Sequence, residues 1–278
     1  MFKDEIMELL EEKKPEDIEL CEVEVNKANE GLLHGVVFFS EEHDGGPSFY
    51  FEYMEEMHKN GVSLEDIADH IVRIANEAFE HITINIDELT CGSNVVLMLV
   101  DEKSNEGFFE DKPSMTAGDG YRFIAKVNNE NFAAVITNDI LDGLGWDAEM
   151  MFDCGISNML HHVLLFDMNK TIFDMSKTIV NQWSKEKLVP APYILTVETV
   201  EYGSACLFLP GVADALMEKL GQGFYAIPST LDEFVIMPKS IVDNMGALHA
   251  MCANIQKFPV GGKTAPSDRI SVFDKEGE

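Results

Sequence analysis

The sequence is short of positive charge. Its 278 residues carry 20 Lys and Arg against 50 Asp and Glu, a formal net charge of −30 with His neutral. A small soluble domain carries a net charge of magnitude about 2–8. A surface this negative repels nucleic acid and anionic membranes and attracts basic proteins or cations at low salt. Direct nucleic-acid binding and membrane binding therefore drop out of the expected partners. Cysteine is scarce as well. Cys21, Cys91, Cys154, Cys206 and Cys252 are odd in number and form no C-x-x-C pair, which argues against a disulfide framework and against a cysteine-based zinc site. Long apolar runs are missing: stretches such as Val95–Val100 fall far below the roughly 18 residues of a membrane helix. The opening MFKDEIMELLEEKK reads as an acidic amphipathic helix and not as a signal peptide. There is no low-complexity segment and no short repeat. These absences lead to the expectation of a cytoplasmic, reduced protein.

What is present is an ordinary globular composition, 46% hydrophobic and 25% charged, in a chain long enough for one large domain or two small ones. The clearest unit runs from Tyr193 to Lys239. Tyr193–Val200 alternates with β-branched residues, as a strand does. Glu201-Tyr202-Gly203 makes a tight connection, and Ser204–Leu209 continues as an apolar run expected to be a second strand. Pro210 stops it. Val212, Ala215, Leu216 and Leu220 repeat at helical spacing, and Gly221 stands where a left-handed C-cap belongs. Phe224–Ile227 and Phe234–Met237 are two more strands, joined through Pro228–Asp232. A helix over Ile241–Gln256 completes a ββαββα unit.

Earlier in the chain, Phe2, Ile6, Leu9 and Leu10 form the buried stripe of the first helix, which ends before Pro15. Residues 18–25 and 32–39 read as paired strands. Phe49–Tyr53 leads into a helix ending at Asn60-Gly61. Ser63 then caps the strongest helix, with Asp66 in the capping-box position and Leu64, Ile67, Ala68, Ile71, Ile74, Ala75 and Ala78 facing inward. A strand over Asn94–Val100, a loop-rich stretch over Glu102–Gly120 and a hairpin over Tyr121–Thr137 follow. A short helix is capped by Asn138 or Asp139, and further helices span Asp147–Leu165 and Lys170–Trp183. Pro190-Ala191-Pro192 breaks both helix and ladder. The pattern predicts an α+β fold with antiparallel or mixed sheets and helices packed on one face. Residues 1–190 are expected as an N-terminal α+β region with a helical second half, and residues 191–278 as the C-terminal ββαββα domain and tail.

Candidate chemistry is thin. Asp101-Glu102-Lys103, fourteen residues after Asp87, has the D-x-K form of metal-dependent nucleases, but that form is common in an acidic chain, and solvation of a strand end is the simpler reading. His161 and His162 are adjacent on an expected helix and point about 100° apart, so they do not chelate as an i,i+4 pair does. His58, His70 and His81 have no metal-type spacing. Gly261-Gly262-Lys263-Thr264 lacks the earlier glycine of a phosphate loop, since Lys257 stands there. Ser204, Ser229 and Cys206 lie in no G-x-S-x-G elbow. No catalytic residue, metal site or cofactor is assigned.

The acids carry the functional expectation. From Glu65 to Glu80 a helix rises about 22 Å at roughly 1.5 Å per residue, and presents Glu65, Asp66, Asp69, Glu77 and Glu80, less Arg73. That is one charge per roughly 4–5 Å, against about 1.7 Å in duplex DNA. One helix therefore does not imitate DNA, and Glu52, Glu55 and Glu56 would have to lie alongside it. The expected function is a non-catalytic acidic protein-binding module for a basic protein partner. Its sharper form is a nucleic-acid-mimicking inhibitor of a nucleic-acid-binding enzyme, such as a defence enzyme. The alternative is a hydrolase or metal-dependent nuclease whose site is assembled from distant residues.

Three stretches carry a resemblance: GVVFFSEEHDGGPSFYFEYMEEMHKNGVSLEDIADHIVRI, ITNDILDGLGWDAEMMFDCGISN and YGSACLFLPGVADALMEKLGQGFYAIPSTLDEFVIMP. In this order they resemble a bacterial family common in gut Firmicutes, domain-of-unknown-function family 5688, over nearly the whole chain. Pro113 is followed here by Ser114 and Met115, where that family places a histidine motif. The resemblance implies a bacterial, cytosolic α+β protein. It carries no activity and no functional residues.

Overall fold

The computed structural model describes residues 2–42, 46–81, 94–128, 133–168, 179–181, 187–199, 201–257 and 264–275. The chain divides into two units, residues 1–89 with 129–132, and residues 90–128 with 133–278. Among the described residues every strand pairing is antiparallel, and the fold is α+β.

In the first unit, α1 (Phe2–Lys13) precedes a three-stranded sheet of β1 (Glu19–Lys27), β2 (Gly31–Phe39) and β3 (Ser48–Tyr50), in that order. Asn29 and Gly31 turn the β1–β2 hairpin at φ +65° and +80°. Helices α2 (Phe51–Lys59) and α3 (Leu64–His81) follow. Ser63 accepts from the Asp66 N–H at 3.1 Å, and its hydroxyl donates to the Asp66 carboxylate at 2.5 Å. One orphan N–H of α3 is thereby satisfied. Ile6 and Leu10 of α1, fully buried, pack with Ile67, Ile71 and Ala75 of α3 and with Val36 and Phe38 of β2. Each such aliphatic side chain contributes about 1.5–3 kcal/mol when taken fully out of water. The 3.6-residue period of α3 thus fixes which of its sides is left to its acids.

In the second unit, β4 (Val95–Asp101), β5 (Ser114–Gly118), β6 (Tyr121–Asn128) and β7 (Ala133–Val135) form a four-stranded sheet with β6 pairing all three others. Between β4 and β5 the stretch expected as loop holds a 3-10 helix, Lys103–Phe109, as well as β5 itself. Helix α4 (Asn138–Leu144) is capped not by the expected Asn138 or Asp139 but by Thr137, whose side chain accepts from the Ile140 N–H. Helix α5 (Ala148–Leu160) is capped by Asp147. A Cβ on Gly155 would lie 2.5 Å from Leu97 Cδ2, so glycine lets α5 close onto β4.

The second sheet of this unit has six strands. They are β8 (Val163–Asp167), β9 (Ile179–Asn181), β10 (Tyr193–Val197), β11 (Phe224–Thr230), β12 (Glu233–Pro238) and β13 (Ser271–Phe273), in the order β13-β11-β12-β10-β8-β9. Residues 190–192, the expected boundary, lie between β8 and β10, which are neighbours in this sheet. Helix α6 (Val212–Leu220) ends at left-handed Gly221, and α7 (Met245–Lys257) buries Leu248 and Cys252 against Ile227, Val235 and Met237.

Three further expected elements differ. The helix expected to reach Leu165 stops at Leu160, and Val163–Asp167 forms β8 instead. A short apolar run carries no period that separates strand from helix, and pairing with β10 decides it. The helix expected over Lys170–Trp183 meets β9 at Ile179–Asn181; its other residues lie outside the described ones. In the ββαββα unit, the second strand is a 3-10 helix, Gly203–Phe208. Tyr202 takes φ +55° and its N–H donates to Asp232 Oδ1 at 2.8 Å. The Ser204 N–H and hydroxyl both donate to the Leu231 carbonyl, at 3.2 and 2.6 Å. These bonds hook the segment onto the β11–β12 turn, so its backbone is bent away from a ladder.

Candidate functional site

The eight acids expected to act belong to the first unit, and they are not brought into one bare row. Lys13 of α1 reaches across to α3, pairing with Asp69 at 2.7 Å and Glu65 at 3.3 Å. The hydrogen bond to Asp69, supported by Glu65, raises the Lys13 ammonium above the ordinary lysine range. Asp66 is turned to Ser63. Glu77 pairs with Arg73, and Glu55 with Lys59. Glu52 accepts from the His34 backbone N–H at 3.0 Å and faces its ring Nδ1 at 3.0 Å. Partial burial pushes the Glu52 carboxyl up, but these bonds together bring it below the usual carboxylate range. Glu56 is exposed, and the Glu80 side chain lies outside the described residues.

The acids nevertheless dominate this unit. It holds 25 acidic and 6 basic residues, net −19 over 93 residues, whereas the second unit holds 25 and 14, net −11 over 185. Five of the six bases, Lys3, Lys13, Lys14, Lys59 and Arg73, already sit in ion pairs with acids of the same unit. Exposed pairs such as those of Lys3, Lys59 and Arg73 are worth about 0–1 kcal/mol each, so an incoming cation displaces them at little cost.

In the second unit a polar cluster appears that sequence reasoning missed. Asp101, read as a solvated strand end, has a side chain only 4% exposed. It accepts from Arg269 Nη2 at 2.8 Å and from the Ser104 N–H and hydroxyl at 2.9 and 2.7 Å. The Arg269 guanidinium lies 4.5 Å from the centre of the Tyr121 ring, and burial pushes the Tyr121 phenol up. Ser271 donates to Asp119, and Asp119 lies 3.7 Å from Arg269 Nε. Gly120, at φ +74°, leaves room for this guanidinium; a Cβ there would sit 3.0 Å from Nη1. No local signal joins Asp101 to Arg269, because the two are 168 residues apart. The D-x-K reading thus loses Asp101 to a structural ion pair, while Asp87 lies outside the described residues.

Other candidates resolve individually. His162 is on the turn after α5 and pairs with Glu198 at 2.9 Å. Cys206 is buried, its thiol pushed up by desolvation. Of the Gly261–Thr264 stretch only Thr264 is described, its carbonyl accepting from the Leu231 N–H. Among the described residues no three His, Cys, Asp or Glu side chains group as a metal site would require, and no helix is long and apolar enough to cross a membrane.

With this geometry in view, comparison with known proteins finds one family model, described as a family of unknown function (DUF5688), which matches residues 1–275. No curated protein and no solved structure matches the chain.

Proposed function

This chain belongs to the DUF5688 family, and from that premise we propose that it is a non-catalytic acidic module that binds a basic protein partner through its first unit. The observation that carries the reading is the uneven charge: net −19 falls on one third of the chain. A field of this sign raises the local concentration and association rate of a basic partner, and does so less as salt rises. The weak surface pairs of Lys3, Lys59 and Arg73 exchange readily for a partner's lysines and arginines. The sharper form, an inhibitor that imitates nucleic acid, needs acids from α2 and β1 beside those of α3, since α3 alone is too sparse. The assignment to a cytoplasmic setting belongs to the same proposal.

The test is capture by the immobilised full chain from the native cytosol at about 50 and 200 mM salt, beside a variant with Glu55, Glu56, Glu65 and Asp69 changed to Gln or Asn. The expected result is a basic protein retained at low salt, released at the higher salt and missed by the variant. Capture that ignores both salt and the four substitutions, or no capture at all, overturns the reading.

A further inference from the structure

Arginine is rare in this sequence: Arg73, Arg122 and Arg269 are the only three. Two of them, from segments 147 residues apart, line one open cavity of about 460 Å³ in the second unit, together with Lys103, Glu102, Glu106, Phe109 and Gly120. The cavity opens where β4 runs into the 3-10 helix and β6 begins, closed on one side by the Glu102 N–H bonded to the Gly120 carbonyl at 3.0 Å.

Both guanidinium groups are held in place from behind. Arg269 is fixed by buried Asp101 and the Tyr121 ring. Arg122 lies 5.3 Å from the Phe109 ring centre and donates to Glu102 at 3.2 Å. Each guanidinium has five N–H donors, and few are used. Arg269 Nη1 makes no hydrogen bond among the described residues, and the buried Nε of both arginines has no acceptor. Lys103, exposed on the rim, has no ion-pair partner among the described residues. Stability alone does not select two under-used guanidinium groups facing one cavity.

We propose that this cavity binds a small organic molecule through a carboxylate or phosphate group, with Arg122 and Lys103 as the adjustable donors and Arg269 as the fixed one. Planar forks recognise such oxyanions in a bidentate way. The volume falls within the range of ligand pockets, and the half-buried Phe109 supplies an apolar wall. The negative charges nearby do not forbid this. Asp101 faces Arg269 from the protein interior, and Asp119, itself exposed, lies 3.7 Å from Arg269 Nε and not on Nη1. The Glu102–Arg122 pair, with Glu102 55% exposed, is weak enough to yield to a ligand. Acids of more distant elements are screened beyond about 8 Å at physiological ionic strength. Glu106 stays on the rim, and favours ligands that also carry a positive group.

The experiment follows amide shifts of the full chain on titration with sodium phosphate and, separately, sodium acetate, each against sodium chloride at matched ionic strength. Saturable shifts at Lys103, Gly120 and Arg122 with an oxyanion and not with chloride are expected. Saturation by phosphate alone assigns a phosphorylated ligand, and by acetate alone a carboxylate. Arg122→Gln and Lys103→Gln should each weaken binding about tenfold, the loss of one charge-assisted hydrogen bond. Lys103 is exposed and unpaired among the described residues, so its substitution leaves the fold intact and reads binding by itself. Shifts that match chloride, or saturation unchanged in both variants, overturn the proposal.

Discussion

Arg269 and Asp101 form an ion pair of unequal members. The Asp101 side chain is 4% exposed and that of Arg269 35%. Removing Arg269 strands the aspartate charge away from water, whereas removing Asp101 leaves a more exposed arginine still beside Asp119. Arg269→Ala is therefore expected to destabilise the protein by about 3–5 kcal/mol, and Asp101→Ala by less, about 1–3 kcal/mol. Urea denaturation of both variants checks the order. Equal effects would show that burial of the carboxylate is not what makes the pair costly to break.

Gly203 is required for space. A Cβ would lie 2.3 Å from the Asp232 carbonyl oxygen, 2.3 Å from Thr196 Oγ1 and 2.8 Å from the Val197 nitrogen. Two of these are backbone atoms, one in the β11–β12 turn and one in β10, so Gly203→Ala is expected to cost at least about 3 kcal/mol. Gly211 has nothing within 4 Å and φ +78°; there only the left-handed conformation matters, and alanine costs about 1–2 kcal/mol. Thermal unfolding of the two variants side by side separates the causes.

Ser63→Ala removes the acceptor that caps α3 and is expected to cost about 1 kcal/mol, with Ser63→Asn restoring most of it. Chemical denaturation measures both. A cap variant indistinguishable from the parent would mean that tertiary packing of Ile67 and Ile71 alone sets the start of the helix.

Glu233 supplies a pH test. Burial raises its carboxyl above the usual glutamate range, against a hydrogen bond from Ser229 at 2.9 Å, with Asp232 adding to the rise. Because the folded value lies above the unfolded one, the native state binds the proton more tightly. The stability this confers is full below the unfolded value and is lost as pH rises through the folded one. Glu233→Gln keeps an acceptor for Ser229 without the charge, and should raise the unfolding midpoint at neutral pH relative to the parent while narrowing the difference at acid pH. Midpoints at several pH values decide it; a parallel offset at all pH values would contradict the linkage.

Much of the fold is legible in local residues. Ser63, Asp66 and the apolar period of α3 mark that helix, and the pairing of residues 18–25 with 32–39 is legible from two neighbouring strand-like stretches, the second apolar on both faces. Gly221 announces the end of α6. The elements that were misread, β8 and the Gly203–Phe208 turn, are short buried runs. Their neighbours choose their conformation: β10 for the first, and the Leu231 and Asp232 acceptors for the second.

The sequence by itself determined the charge of the molecule and the helix and strand periods, because each is a sum or a spacing along the chain. Only the tertiary structure decided which carboxylates are covered, which bases neutralise them and that Arg122 and Arg269 share a cavity. The Asp101–Arg269 pair and the shared cavity depend on contacts between residues more than a hundred positions apart, and a buried ion pair leaves no periodic trace in the residues that make it.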